Sequence, residues 1–247
     1  MRKGTSALQN LQLLKWCTEY GIVAYWNLLY GFPGENPADY DAMASIIEFI
    51  HHLRPPHAIG PIRLDRFSPN FFNSAALGVT NVRPDRNYRH IYDLADEELY
   101  SLAYFFEHDY EDGRNPESYI GNARTAVLRW HQNSGNQGLK YVDHGDNVAI
   151  WDLRPNAKRT LTILTGHERA VFLYCDQHRS LPQIESFLRE IGGAVAPIQP
   201  FLDNLVNHRL MIYLDKQYLS LAVRAARDAA ERAQASPTAS MEQLVVV

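Results

Sequence analysis

Cysteine is almost missing from this chain. Its 247 residues hold two, Cys17 and Cys175. They are far apart in sequence, which argues against a disulfide framework and for a reducing, cytoplasmic home. A large excess of either charge is also absent, with 24 basic and 28 acidic residues. A net charge of -4 gives no reason to expect nucleic acid or an anionic membrane as partner. No uncharged run reaches the roughly 18 residues that span a bilayer. The polar start, Met1 to Ser6, has no apolar stretch of the kind a signal peptide carries. There is no phosphate loop, dinucleotide fingerprint or Gly-x-Ser-x-Gly elbow, and no internal repeat. The acidic run Glu107 to Asp112 lacks the calcium-loop pattern and reads as a solvated helix end. His51, His52 and His57, with Asp65, are metal candidates by residue type. Their spacing matches no helical zinc motif, and adjacent histidines on a helix face different ways. Packing or surface roles are the better reading, and no metal site is assigned. A metal hydrolase is the reading that would need one.

What is present is ordinary globular material, 46% apolar and 21% charged, enough for one or two domains with real cores. Residues 7–20 place Leu8, Leu11, Leu14, Trp16 and Cys17 at helical spacing, with Gln9, Gln12, Lys15 and Glu19 between them. Ser6 can cap this helix and Gly21 can end it. Residues 22–30 form a near-continuous apolar run, read as a buried strand. Pro37 suits the first turn of a helix over 37–53, whose core face is Tyr40, Met43, Ile46, Ile47 and Ile50. Pro55 and Pro56 stop it, and another strand follows at about 59–66. This alternation predicts parallel α/β units, with the active face at the carboxyl ends of the strands. Gly31–Glu35 and Arg66–Ser68 fall at those ends. Residues 70–92 read as irregular, and helices are expected at about 95–107 and 116–132.

The stretch 133–138 is the clearest linker. Beyond it the pattern changes. Residues 139–142 and 148–152 flank a hairpin turn at His144–Asn147. A second turn at 154–159 leads into a strand at Thr160–Leu164. Thr165 to Glu168 reads as a capping box opening a helix to about Asp176. Ser180 caps a second helix with Pro182 in its first turn, and a third covers about 197–208. A last hairpin joins Leu210–Leu214 to Tyr218–Ala222. This order, strands then three helices then a hairpin, describes a small α+β winged-helix-like module over 139–223. Residues 224–247 read as a helical or disordered tail.

Four segments carry a family resemblance: Lys3–Ser6, Tyr30–Glu35 (Tyr-Gly-Phe-Pro-Gly-Glu), His52–Pro56 and Arg66–Pro69 (Arg-Phe-Ser-Pro). In this order the chain resembles cobalamin-binding radical S-adenosylmethionine (SAM) enzymes that mature ribosomally made peptides. The resemblance continues into the C-terminal module. It implies that residues 1–132 are the C-terminal part of a radical SAM, partial TIM-type barrel. It also implies SAM, a 4Fe–4S cluster and cobalamin as cofactors of the full-length family, with a ribosomal precursor peptide as partner. Family members bind the cluster on a Cys-x3-Cys-x2-Cys loop, and Cys17 and Cys175 cannot supply it. The glycine-rich SAM motif of the second strand and the cobalamin histidine motif are also missing. The chain therefore reads as the back half of a maturase whose cluster-bearing front half is absent. The other reading is a non-catalytic peptide-binding fragment or gene remnant.

By this resemblance the cofactor-binding candidates are Asn27, Leu29, Gly31, Glu35, Arg66 and Ser68; no catalytic residue is named. Leu29 would supply apolar contact to adenine. Gly31 would let the backbone approach SAM, and Glu35 would orient the loop or accept from a backbone N–H. Asn27 stands where the family often has glycine. Arg66 can grip a carboxylate with two parallel hydrogen bonds, and Ser68 can reach a ligand. The alternative stays open that Pro33 and Gly34 build a turn, that an acid pairs Arg66 structurally, and that Ser68 serves a turn. In the module, the helix at 197–208 has no arginine, which argues against DNA reading. The resemblance points instead to docking of a leader peptide as an added strand. The strand at Thr160–Leu164 and the groove beside the 197–208 helix are the candidates, against a module that only packs on the barrel.

Overall fold

The computed structural model describes residues 4–134, 138–192 and 197–225. Lys3, part of the expected linker and nearly all of the 224–247 tail lie outside the described residues. The chain is mixed α/β. In order it forms α1 (Ala7–Glu19), β1 (Asn27–Tyr30), α2 (Ala38–Ile47), β2 (Ala58–Pro61), β3 (Leu64–Asp65), α3 (Pro69–Phe72), β4 (Val79–Pro84), α4 (Tyr88–Ile91), α5 (Asp96–Leu102), β5 (Phe105–Tyr110) and α6 (Gly121–Asn133). Then follow β6 (Leu139–Asp143), β7 (Asn147–Asp152), β8 (Leu161–Thr165), α7 (Gly166–Tyr174), β9 (Arg179–Ser180), α8 (Leu181–Glu190), α9 (Gln199–Asn207), β10 (Met211–Leu214), β11 (Gln217–Ser220) and β12 (Val223–Arg224). The described residues divide into two compact units, one from 27–44 and 57–125, the other from those within 1–26, 45–56 and 126–247. The sequence alone places the domains at 1–132 and 139–223, with a tail at 224–247.

In the first unit β1 and β2 pair in parallel, Asn27 opposite Ala58 through Tyr30 opposite Pro61. The second sheet, β3-β5-β4, is antiparallel. No closed barrel exists among the described residues. Two expected strands are shorter than the apolar runs suggest. The 22–30 run yields a strand only from Asn27, because its partner β2 is four residues long; Ile22 and Val23 are exposed. The 59–66 strand is cut in two: β2 ends at Pro61, Ile62 N–H still donates to the Tyr30 carbonyl at 2.8 Å, and β3 begins at Leu64. β2 joins β1 and β3 joins β5. The 95–107 helix stops at Leu102, and Phe105–Tyr110 forms the central strand of the antiparallel sheet. The acidic run Glu107 to Asp112 thus begins in a strand, where aromatic residues fit a half-buried pleat. The 70–92 stretch is not all irregular, since it contains β4. Tyr30, Tyr40, Ile120 and Ala123 form one core with Met43, Ile59 and Tyr119 against them. Leu64, Val79, Ala103 and Phe106 form the other.

In the second unit α1 starts at Ser6, whose hydroxyl accepts from Gln9 N–H while the Gln9 side chain accepts from Ser6 N–H. Gly21 follows the helix at φ +70°, a conformation that costs glycine little. The four-stranded sheet has the order β12-β6-β7-β8. β6, β7 and β8 form the expected antiparallel meander, and β12, which sequence patterning missed, adds in parallel to β6. One sheet face packs on α7, where Tyr141 meets Phe172 edge to face at 5.7 Å. α7 begins as expected, but Thr165 at its N-cap makes no side-chain cap bond. The β10–β11 hairpin turns through Asp215 and Lys216, both at positive φ, which matches the right-handed twist of the strands.

Polar groups lock this unit together. Lys15 of α1 is 1% exposed, and its ammonium donates to Asp176 Oδ1 at 2.6 Å, Asp176 O at 2.9 Å and Ser220 O at 3.0 Å. Burial lowers the Lys15 pKa, opposed by the Asp176 charge. Asp176 Oδ2 accepts from the Trp16 indole at 3.0 Å. Arg154, also buried, grips Asp152 with two donors and gives others to the Phe49 and Arg209 carbonyls. Among the described residues no helix is long and apolar enough to cross a membrane.

Candidate functional site

Alternation along β1 sorts its side chains. Leu28 and Tyr30 are buried, while Asn27 and Leu29 are exposed on the opposite face. Ala58 and Gly60 of β2 are the register partners of those two exposed residues. At the strand's carboxyl end the chain turns through Gly31 to Glu35, as the motif suggests.

Glu35 holds this turn closed. Its carboxylate accepts from Gly31 N–H at 2.9 Å, Phe32 N–H at 2.8 Å, the Tyr40 hydroxyl at 2.6 Å and the Tyr119 hydroxyl at 2.5 Å. The Tyr40 and Tyr119 rings stack at 5.6 Å. Burial raises both tyrosine pKa values, and the hydrogen bonds to Glu35 add to the rise. A third tyrosine, Tyr110, donates to the Gly31 carbonyl, and burial pushes its pKa up to about 12. Gly31 sits at φ +85°, and a Cβ there would lie 2.8 Å from the Tyr110 oxygen and 3.5 Å from Pro116. The need for glycine is therefore met by this chain's own packing. Beneath the turn Arg124 donates to the Tyr30 hydroxyl at 2.7 Å and pairs with Glu117 at 2.7 Å, while Tyr30 donates to Glu117.

Arg66 and Ser68 belong to the β3–α3 connection. Arg66 Nε donates to the Ala103 carbonyl at 2.6 Å and a terminal nitrogen donates to the Tyr100 carbonyl. These lie at the C-terminal end of α5, where carbonyls lack helical partners and a cation is favoured. The guanidinium also lies near the Phe71, Tyr100 and Phe106 rings, with its carbon 5.0 Å from the Phe106 centroid. Ser68 caps α3 and accepts from Phe71 N–H at 3.1 Å. Of the six candidates, Asn27, Leu29, Gly31 and Glu35 share one strand and turn, and Arg66 and Ser68 lie apart in the connection that follows β3 of the other sheet. Only Asn27 and Leu29 present their side chains outward, on one open face. Tyr110, Glu117, Tyr119 and Arg124 escaped sequence reasoning because they come from 79 to 94 residues further on, with no local motif to flag them.

The residues present do not suit an iron–sulfur cluster. Cys17 is partly buried on α1 and Cys175 is buried after α7. Burial raises the pKa of both thiols, that of Cys175 to about 12, the reverse of what a thiolate ligand needs. Among the described residues no three His, Cys, Asp or Glu side chains are grouped to hold a metal. His52 donates from Nε2 to the Leu221 carbonyl at 2.8 Å, and its buried Nδ1 has no partner. Burial pushes its pKa down to about 3, so the ring is neutral.

In the C-terminal module β8 is the outer strand of its sheet, and among the described residues no strand pairs with its second edge. Its inward Leu164 is buried, while Leu161 and Ile163 are exposed beside Trp151 of β7. Trp151 is opposite Leu161 in the ladder, which puts the three on one sheet face. The groove beside α9 opens elsewhere, toward α8 and the β10–β11 hairpin, and β8 does not line it. Protein-family models, curated proteins and solved structures were compared with the chain, and none matches.

Proposed function

We propose that this chain is the C-terminal part of a radical SAM maturase and that its own contribution is to hold a ribosomally made precursor peptide in the cytoplasm. What supports the peptide half of the reading is the free edge of β8. An unpaired strand edge offers backbone donors and acceptors to an extended segment. Leu161, Ile163 and Trp151 give that segment an apolar face for alternate side chains. What supports the radical SAM half is the ordered set of motifs from Tyr30 to Pro69, together with a strand–turn built around Gly31 and Glu35. The finer fold reading, part of a TIM-type barrel, belongs to this proposal and rests on the parallel β1–β2 pair.

SAM would meet this chain at Asn27 and Leu29, whose side chains are free of other duties. Cluster and cobalamin ligands would have to come from residues outside this chain, and no chemical step is assigned to Gly31, Glu35, Arg66 or Ser68. The non-catalytic reading, a fragment that binds peptide alone, is favoured by the thiol environments of Cys17 and Cys175. Two measurements test the proposal. Fluorescence anisotropy with labelled segments of candidate ribosomal precursor peptides should show saturable binding that Ile163→Asp weakens about tenfold; binding unaffected by Ile163→Asp would remove β8 from the reading. A longer protein carrying an in-frame three-cysteine loop, purified anaerobically, should cleave SAM to 5′-deoxyadenosine, while residues 1–247 alone should not. No cleavage by the longer form would leave peptide binding as the whole function.

A further inference from the structure

Beside α9 lies an open cavity of about 360 Å³, at the small end of ligand sites. Gln199, Asp203 and Asn207 line it at four-residue steps, so they stand on one face of the helix. The opposite face of α9 buries Leu202 and Leu205. Tyr213 and Tyr218 form another wall, directly opposite each other on β10 and β11 with ring centroids 4.5 Å apart. Leu181 and Val206 are its apolar lining. Among the described residues that line it, Asp203 is the only charged one.

The hydrogen bonds give this cavity a sign. The Gln199 amide nitrogen donates to Asp203 Oδ1 at 2.7 Å and to the Tyr218 hydroxyl at 2.8 Å. A carboxylate can only accept, so the amide must point its N–H pair that way, and both protons are used. This leaves the Gln199 carbonyl and the second Asp203 oxygen as acceptors. Tyr213 stands half exposed beside Tyr218, and an aromatic ring carries an electron-rich face. A carboxylate, a free amide carbonyl and an aromatic pair together attract a cation and offer little to an anion.

We propose that this cavity is a binding site for an alkylammonium or guanidinium head. The alkyl stem would lie along Leu181 and Val206, and the head would meet Asp203 and the face of Tyr213. The site stands whether or not β8 docks a precursor peptide. Two sources carry this chemistry, a lysine or arginine side chain of a polypeptide and a free polyamine. The test uses the whole chain with labelled tyrosine rings, titrated in NMR with N-acetyl-lysine methylamide, N-acetyl-arginine methylamide and spermidine. The neutral N-acetyl-norleucine methylamide serves as control. The expected result is saturable shifts of Tyr213 and Tyr218 with the cations and none with norleucine. Asp203→Asn and Tyr213→Ala should each weaken binding about two- to fivefold. Both positions are exposed, so unchanged melting curves verify the fold. Tighter binding of the amides than of spermidine assigns a polypeptide source, and the reverse assigns a polyamine; either supports the site. Absence of saturable shifts with every cation, equal binding of norleucine, or Asp203→Asn binding as tightly as the native chain would each overturn it.

Discussion

Asp176→Asn should destabilise the second unit, and the loss should shrink as the pH rises. Lys15 has almost no access to water and spends its three protons on Asp176 Oδ1, Asp176 O and Ser220 O. Among the described residues the substitution removes the only counter-charge within hydrogen-bond range, and it leaves the two carbonyls. Breaking a fully buried pair costs about 3–5 kcal/mol. The Asp176 side chain is 33% exposed, so solvent already screens part of the attraction, and the expected loss is about 2 kcal/mol. For a chain of this length that corresponds to a fall of about 4–8 °C in Tm. The pH dependence follows from linkage. Burial already lowers the folded-state pKa of Lys15, and Asp176 is the largest effect holding it up. Without that charge it falls further. Between the folded value and the unfolded value near 10.4 the unfolded chain binds more protons, so stability climbs with pH, by up to about 1.4 kcal/mol per unit. Urea denaturation of both proteins at pH 7 and pH 9.5 provides the assay. The reasoning fails if Asp176→Asn melts with the native protein at pH 7, or if its deficit is the same at both pH values.

Glu35→Ala leaves two backbone N–H groups and two tyrosyl hydroxyls without their acceptor, and should cost about 3 kcal/mol in urea denaturation. Absorbance titration near 295 nm should show Tyr110 ionising near pH 12 in the native protein. Because its folded pKa is raised, the neutral hydroxyl stabilises fully below about pH 10 and that contribution disappears toward pH 12; normal titration of every tyrosine would contradict the closed turn. His52, with its folded pKa depressed to about 3, should make the protein lose stability as pH falls below about 6.5. By pH 5 the loss should be about 2 kcal/mol, and His52→Asn should lack this component in the same assay. Arg66→Met should cost about 1–2 kcal/mol in a thermal melt without any cofactor, because it uncaps α5; an unchanged melt would return Arg66 to a purely ligand-binding role.

Local signals made much of the second unit legible. Helical spacing with a Ser6 cap located α1, and turn chemistry located the β6–β7 and β10–β11 hairpins. The order of strands and helices over 139–223 matched the reading closely. The failures sit where a distant partner decides. Phe105–Tyr110 carries acids that suit a helix end, yet β3 and β4 recruit it as a central strand. Lys15 looks like a surface residue on α1, and its burial depends on Asp176 and Ser220 far along the chain. The 59–66 run looks like one strand because nothing in its apolar pattern reports that Pro61 ends one ladder and the chain joins a second sheet.

The Gly31–Glu35 turn shows why site residues were harder to judge than elements. A glycine at positive φ and an acid four residues later leave the same trace in sequence whether a cofactor or the protein fills the space. Here Tyr110 and Pro116 fill it, and Tyr40 and Tyr119 complete the shell of Glu35. Asn27 and Leu29 are different, because alternation along β1 turns them outward while Leu28 and Tyr30 anchor the core. Ligand contact at this strand therefore has to run through the face they share. Leu29→Asp should leave the thermal melt within about 0.5 kcal/mol of native, since the side chain is exposed. The same change should abolish any saturable binding of SAM measured by calorimetry in a longer, cluster-bearing form. If the variant instead unfolds the chain, Leu29 is a packing residue and β1 offers a ligand nothing but backbone. If SAM binding survives the change, the cofactor does not use this strand.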